Sequence, residues 1–158
     1  MIFFGHIGIT AFFGSLLSLS ILSIFIGSLL PDIIDKPFQI IGMSPSGRFI
    51  GHTLFMGFVI SCISLLIIRK KYVPISLLFG YWFHLLQDAQ HFVPWFYPFI
   101  NYDFPLYPFG PRLTLINIIF ELLGIISLVY VIRTNFQLRS LIADSFKILI
   151  NNKRKIPE

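Results

Sequence analysis

Three polar residues in the stretch 80–91 are spaced to do chemistry: His84, Asp88 and His91, preceded by Gly80. Spacings of four, four and three predict one face of a helix for all four residues. A His and an Asp one turn apart can ligate a single cation from one helix, the geometry that makes HExxH a metal motif. Neutral imidazole and carboxylate suit zinc and other divalent first-row metals. Further ionisable residues lie near the ends of other apolar runs: Asp32 and Asp35, His52, and Glu121, with Asn117 and Gly124 giving Glu121 a polar face of its own. Read singly, a His in a membrane helix is more often a helix–helix hydrogen-bonding residue than a ligand. Asp32 and Asp35 read as interfacial residues after a proline. Glu121 reads as a proton relay or as a packing residue paired with Arg112 or a Tyr. Read together, three His and three or four acids at one depth require mutual neutralisation, and a bound cation supplies it.

These residues are costly because of where they sit. The chain has 158 residues, of which 12% are charged, and a mean hydropathy of +0.83. Soluble domains carry about twice that charge. Four stretches are long and apolar enough to span a bilayer, about 7–30, 50–68, 74–92 and 113–132. An ionisable group at the centre of such a helix costs about 2.5–3.5 kcal/mol and marks function by default. The predicted fold is therefore all-α, a polytopic membrane bundle of about four spanning helices. Pro31 is expected to close the first span and Arg69 to Lys71 the second. Pro74 opens the third, and the prolines of 93–112 make that stretch an irregular loop. Residues 1–133 form the membrane-embedded bundle. Residues 134–158 form a basic tail, part of it a surface helix.

The net charge is +5. Arg69, Lys70 and Lys71 form one basic knot, and Lys153, Arg154 and Lys155 another. Both read as cytoplasmic anchors facing anionic lipid. The 31–49 and 93–112 loops, the polar cluster among them, should then face outward, with both termini inside. Nucleic acid is not an expected partner, because no folded basic face remains outside the apolar segments. Cys62 is the only cysteine, so no intramolecular disulfide forms. His6 does not fit this scheme. A straight helix from His6 to Pro31 runs about 37 Å, which puts His6 at the end away from the cluster. Either His6 is outside the site, or the first segment breaks near Gly14 and Ser15 into a re-entrant hairpin.

Taken in order, Gly5-His6, GSLLPDIID (27–35), GRFIGHTLF (47–55) and GYWFHLLQDA (80–89) resemble the YdjM-like family of membrane-bound metal-dependent hydrolases, over about residues 5–125. The order is also similar to the zinc-dependent phospholipase C and single-strand nuclease superfamily, all-helical proteins that cleave phosphodiesters. The resemblance implies His6, Asp32, His52, His84 and Asp88 as metal ligands, zinc as the metal, hydrolysis as the reaction and the hairpin form of the first segment. The family's PDxD is PDIID here, which moves the second carboxylate to Asp35. Arg48 stands where a basic residue often precedes the second His motif, and His91 has no counterpart.

The expected function is metal-dependent hydrolysis of a phosphoester such as a phospholipid. Asp32 or Asp35 would serve as ligand or general base, and Asp35, Glu121 and Arg48 are the candidate catalytic residues. Arg48 or Arg112 would steady the phosphate. Trp82, Trp95, Tyr97, Tyr102 and Tyr107 are expected in the interfacial belt. Membrane lipid is the expected partner, and the oligomeric state stays open. The alternative is a non-catalytic membrane protein or a small ion or proton transporter using the same residues. A compact shell of polar residues favours the enzyme; a string across the membrane favours conduction.

Overall fold

The computed structural model describes residues 3–44, 46–106 and 114–135. They form five α-helices and one 3-10 turn, with no strand among them: α1 Phe3–Leu16, α2 Ile21–Ile40, the turn Ile50–His52, α3 Leu54–Ile68, α4 Tyr72–Gln87 and α5 Leu115–Thr134. The tail expected at 134–158 lies almost wholly outside the described residues, as do Tyr107 and Arg112.

The first apolar segment is not one helix. It breaks after Leu16, not at Gly14 and Ser15. Ser18 takes the left-handed conformation at φ 55°. The Leu19 amide reaches back to the Gly14 carbonyl at 3.0 Å and the Ser18 amide to the Ser15 carbonyl at 3.1 Å. This is a Schellman ending with serine where glycine is usual. The chain reverses, and the Ser20 amide is held by the Ser76 hydroxyl at 2.9 Å. The new helix then runs through Pro31 and Pro37 to Ile40. Pro31 was expected to stop a helix. It costs an internal hydrogen bond, but it is fully buried, and tertiary packing outweighs the local preference. Asp32 and Asp35 therefore sit on a helix, on one face, and not in the loop expected from residue 31 onward.

Two pairs of glycines bring the helices together. A Cβ on Gly80 would overlap the Ile24 carbonyl, and one on Gly27 the Leu77 carbonyl, so α2 and α4 touch backbone to backbone. Gly8 and Gly124 do the same for α1 and α5, where a Cβ on Gly124 would also lie 2.6 Å from the Gly5 Cα. Small residues at such crossings are the usual solution when lipid removes the hydrophobic drive between helices. Gly124→Ala is expected to destabilise the bundle by about 1–3 kcal/mol, read as a lower unfolding temperature in detergent. Leu122→Ala, on the exposed side of α5, should change it little. Equal behaviour of the two variants would contradict this packing.

The contacts also fix direction. Ser20 meets Ser76 and Asp32 approaches His84, so α2 and α4 run the same way. His6 stacks on His84, and Glu121 meets Phe4, so α1 and α5 run the other way. One end of the bundle holds the start of α1, the 41–53 connection and the end of α4. The other holds the α1–α2 reversal, Arg69–Lys71 and the end of α5 with Arg133. The start of α1 lies at the His/Asp end, opposite Arg69–Lys71, because the hairpin returns it there.

Among the described residues, α5 alone is long and apolar enough to cross a membrane by length and composition, and only 17% of its apolar window is buried. A core helix of a soluble protein would be mostly covered; this one exposes Leu115, Ile119, Leu122 and Ile126. The stretch expected at 50–68 begins helically only at Leu54, where the Thr53 hydroxyl accepts from the Met56 amide at 3.0 Å. The stretch expected at 74–92 ends at Gln87. His91 follows in a turn, its amide on the Asp88 carbonyl at 2.8 Å. It is exposed and does not share the face of His84 and Asp88.

Candidate metal centre

Four chain segments bring the cluster together. His6 comes from the first turn of α1, Asp32 and Asp35 from the second half of α2, His52 from the 3-10 turn, and His84 from the last turn of α4, with Asp88 as its C-cap. His6, His52, His84, Asp35 and Asp88 are buried, and Asp32 is half-buried. The His6 and His84 rings stack with centroids 4.1 Å apart. Those of His52 and His84 lie edge to face at 5.4 Å.

Two sets of three ligand-type atoms converge within 4.8 Å: His6, His84 and Asp88, and Asp32, His52 and His84. His84 belongs to both. The hairpin thus brings His6 to His84 and Asp88, resolving the conflict in the first segment.

The hydrogen bonds set the imidazole tautomers. His6 Nδ1 lies 2.8 Å from the Gln87 side-chain oxygen. An amide oxygen only accepts, so Nδ1 carries the proton. His6 Nε2 then presents a lone pair towards Asp88 Oδ1, 3.4 Å away. His52 Nδ1 donates to Asp35 Oδ2 at 2.7 Å. His52 Nε2 is left facing Asp32 Oδ1 and Asp88 Oδ2, each at 3.7 Å. His84 Nε2 is 4.0 Å from Asp88 Oδ2. Among the described residues, His52 Nε2 and both His84 nitrogens have no hydrogen-bond partner, although they are buried. Buried polar atoms are normally satisfied. Extra protons on these imidazoles would not satisfy them, because 3.7–4.0 Å is too long for a hydrogen bond. Lone pairs and carboxylate oxygens that converge without protons between them fit a cation. The donor set of nitrogen and oxygen suits a divalent first-row metal.

Asp35 and Glu121, the carboxylates expected as catalytic groups, each accept hydrogen bonds from backbone amides. Asp35 is wholly buried and accepts from the Phe49, Gly51 and His52 amides at 2.6, 2.7 and 3.0 Å, besides His52 Nδ1. Gly51 is required there, since a Cβ would lie 2.8 Å from Asp35 Oδ1 and from the Pro31 carbonyl oxygen. The Tyr81 hydroxyl donates to the Gly51 carbonyl from the other side. Glu121 accepts from the Phe4 and Gly5 amides at 2.8 and 3.0 Å. Those are orphan donors at the start of α1, where negative charge is favoured. Both carboxylates therefore face backbone amides. Arg48 Nε donates to Asp88 Oδ2 at 2.8 Å, and Asp32 holds Lys36 at 2.6 Å. Gln87 is the residue that spacing missed. Its signal was a lone amide in an apolar helix, one position before Asp88.

A family model, the YdjM inner membrane protein, matches residues 1–147. The chain belongs to the YdjM inner membrane protein family. That match runs through all the residues of the cluster, from His6 to Asp88, and on past Glu121. No curated protein and no solved structure matched the chain. Membership in the YdjM family accounts for the exposed apolar surface of α5 and places a buried His/Asp cluster inside a membrane protein.

Proposed function

We propose that this chain is a membrane-bound metal-dependent hydrolase acting on a phosphoester such as a phospholipid. The observation that carries the reading is the convergence of His52 Nε2 and a His84 nitrogen, buried and without hydrogen bonds, on the carboxylates of Asp32 and Asp88. His6, Asp32, His52, His84 and Asp88 are the proposed ligands, and zinc is the favoured metal for this donor set. A divalent ion held there supplies Lewis acidity towards a phosphoryl oxygen and lowers the pKa of water towards about 7. The chain's own residues do the rest. Asp35 fixes His52 with Nδ1 protonated, and Gln87 does the same for His6, the usual duty of groups behind a metal-binding imidazole. Arg48 sets a guanidinium beside Asp88, where it can also meet an anionic phosphate. Asp32 is the one carboxylate of the cluster with solvent access, its side chain 27% exposed against 3% for Asp88 and 0% for Asp35. It is the residue placed to pass a proton outward. Glu121 acts through α1, holding His6 in place.

The order of motifs, similar to that of the zinc phospholipase C and nuclease superfamily, supports phosphoester chemistry. The compact shell at one end of the bundle supports an enzyme over a conducting path. In the membrane, α1 and α2 form a hairpin beside α3, α4 and α5. Arg69–Lys71 and Arg133 orient that end to the cytoplasm, so the site opens near headgroup level on the outer face. Vesicles carrying a phospholipid labelled in its headgroup test the activity. Headgroup release that stops with a chelator and returns with added zinc is expected. A metal-loaded protein that releases nothing from phosphomonoester or phosphodiester lipids would overturn the hydrolase and favour the ion-carrier reading.

Gln87→Leu is expected to weaken metal retention by about 10–100-fold without loss of helix content, and Gln87→Glu to restore most of it. Competition with a coloured chelator reads both. Unchanged retention in Gln87→Leu would remove Gln87 from the site.

A further inference from the structure

The far end of the bundle carries a second candidate site. Between α3 and α4 lies a cleft of about 330 Å³, within the range of about 300–1,000 Å³ for small-ligand sites. Phe58, Leu65, Ile75 and Leu78 give it apolar walls, with Ser61 part-way along and Lys71 also lining it. Ser61 is 5% exposed, and its hydroxyl has no hydrogen-bond partner among the described residues. Arg69, in the left-handed conformation that ends α3, and Lys70 immediately precede Lys71. None of these three cations is in an ion pair with a described residue.

We propose that this cleft binds one membrane phospholipid with an anionic headgroup, its acyl chain between α3 and α4 and its phosphate on Lys71. Charge complementarity selects this occupant. Three successive cations at one end of an apolar groove match a lipid that joins one phosphate to a long apolar chain, and basic pockets between membrane helices take such headgroups. A neutral lipid leaves the cations unused. A second copy of this chain would have to bring acids to the same end, and no acid of the described chain lies beyond the His/Asp end and α5. The buried Ser61 hydroxyl, without a partner among the described residues, lies in the apolar part of the wall away from Lys71. This site stands apart from the His/Asp cluster, with the length of α4, about 24 Å, between Lys71 and Asp88.

The test uses the full chain in mild detergent with equal amounts of phosphatidylglycerol and phosphatidylcholine of the same acyl chains. Native mass spectrometry reads which lipid stays bound. Alkylation of Cys62, which is exposed and lines the cleft, reads whether the cleft is filled. Phosphatidylglycerol should be retained in preference and should slow the alkylation. Lys71→Gln should cut the preference about fivefold. Ile75→Trp, filling the cleft from a partly exposed position, should abolish retention. Equal retention of the two lipids, or a preference untouched by Lys71→Gln, overturns the proposal. A dimer that carries no lipid and protects Cys62 also overturns it, in favour of a second copy. The Cys62 measurement on the unaltered protein decides the matter even if a variant fails to fold.

Discussion

His84→Ala is expected to strip the purified protein of bound metal while leaving the helices in place. His84 is the one residue common to both ligand sets, so its removal leaves neither with three protein donors. The loss should exceed the 10–100-fold that removal of a supporting partner costs. The side chain is buried at the end of α4, and its nitrogens hold no other structure together. The fold should therefore tolerate the change, and circular dichroism beside elemental analysis separates metal loss from unfolding. Metal content equal to that of the unaltered protein would remove His84, and with it both sets, from the account.

Asp35→Ala is expected to act in the opposite way, through the fold first. Its two oxygens take four donors, three of them backbone amides of residues 49–52. Removing the carboxylate strands those donors in a buried site, at about 1–3 kcal/mol for each one left unsatisfied. It also frees His52 from its protonated-Nδ1 tautomer. The expected result is a fall in stability of about 3–5 kcal/mol, with metal affinity reduced in whatever folds. Asp35→Asn keeps one acceptor and should fall between. Thermal unfolding in detergent, with and without added zinc, reads both effects. A stable Asp35→Ala protein that keeps its metal but loses hydrolysis would make Asp35 a catalytic base and not the anchor of the 49–52 connection.

Part of this site was legible in the sequence, and the reasons for the rest are local. His84 and Asp88 follow from helical spacing alone, since one turn brings them together wherever the helix sits. His91 does not follow, because α4 ends at Gln87 and the next turn carries it away. Asp32 and Asp35 were visible as costly acids. Their helical setting was not, since Pro31 reads as a stop and only its burial in the bundle makes it tolerable. His6 turned on a reversal that glycine would have announced and Ser18 makes instead. The roles of Asp35 and Glu121 depend on amides 14–17 and 116–117 residues away. Spacing along one element cannot reveal such partners. The same holds for Gln87 and His6, 81 residues apart. The bounds of the helices were misjudged because apolar stretches were read as whole helices. The backbone breaks or ends several of them early, where the cluster needs non-helical turns to aim its side chains.

The central claim is that these imidazoles and carboxylates hold a metal. X-ray absorption at the metal edge, on protein purified from membranes without chelators, tests it most directly. The account predicts a divalent first-row metal, zinc foremost, with imidazole nitrogen and carboxylate oxygen at about 2.0–2.2 Å and that signal absent from His84→Ala. A folded protein that carries no first-row metal and takes up none when zinc is supplied would contradict it.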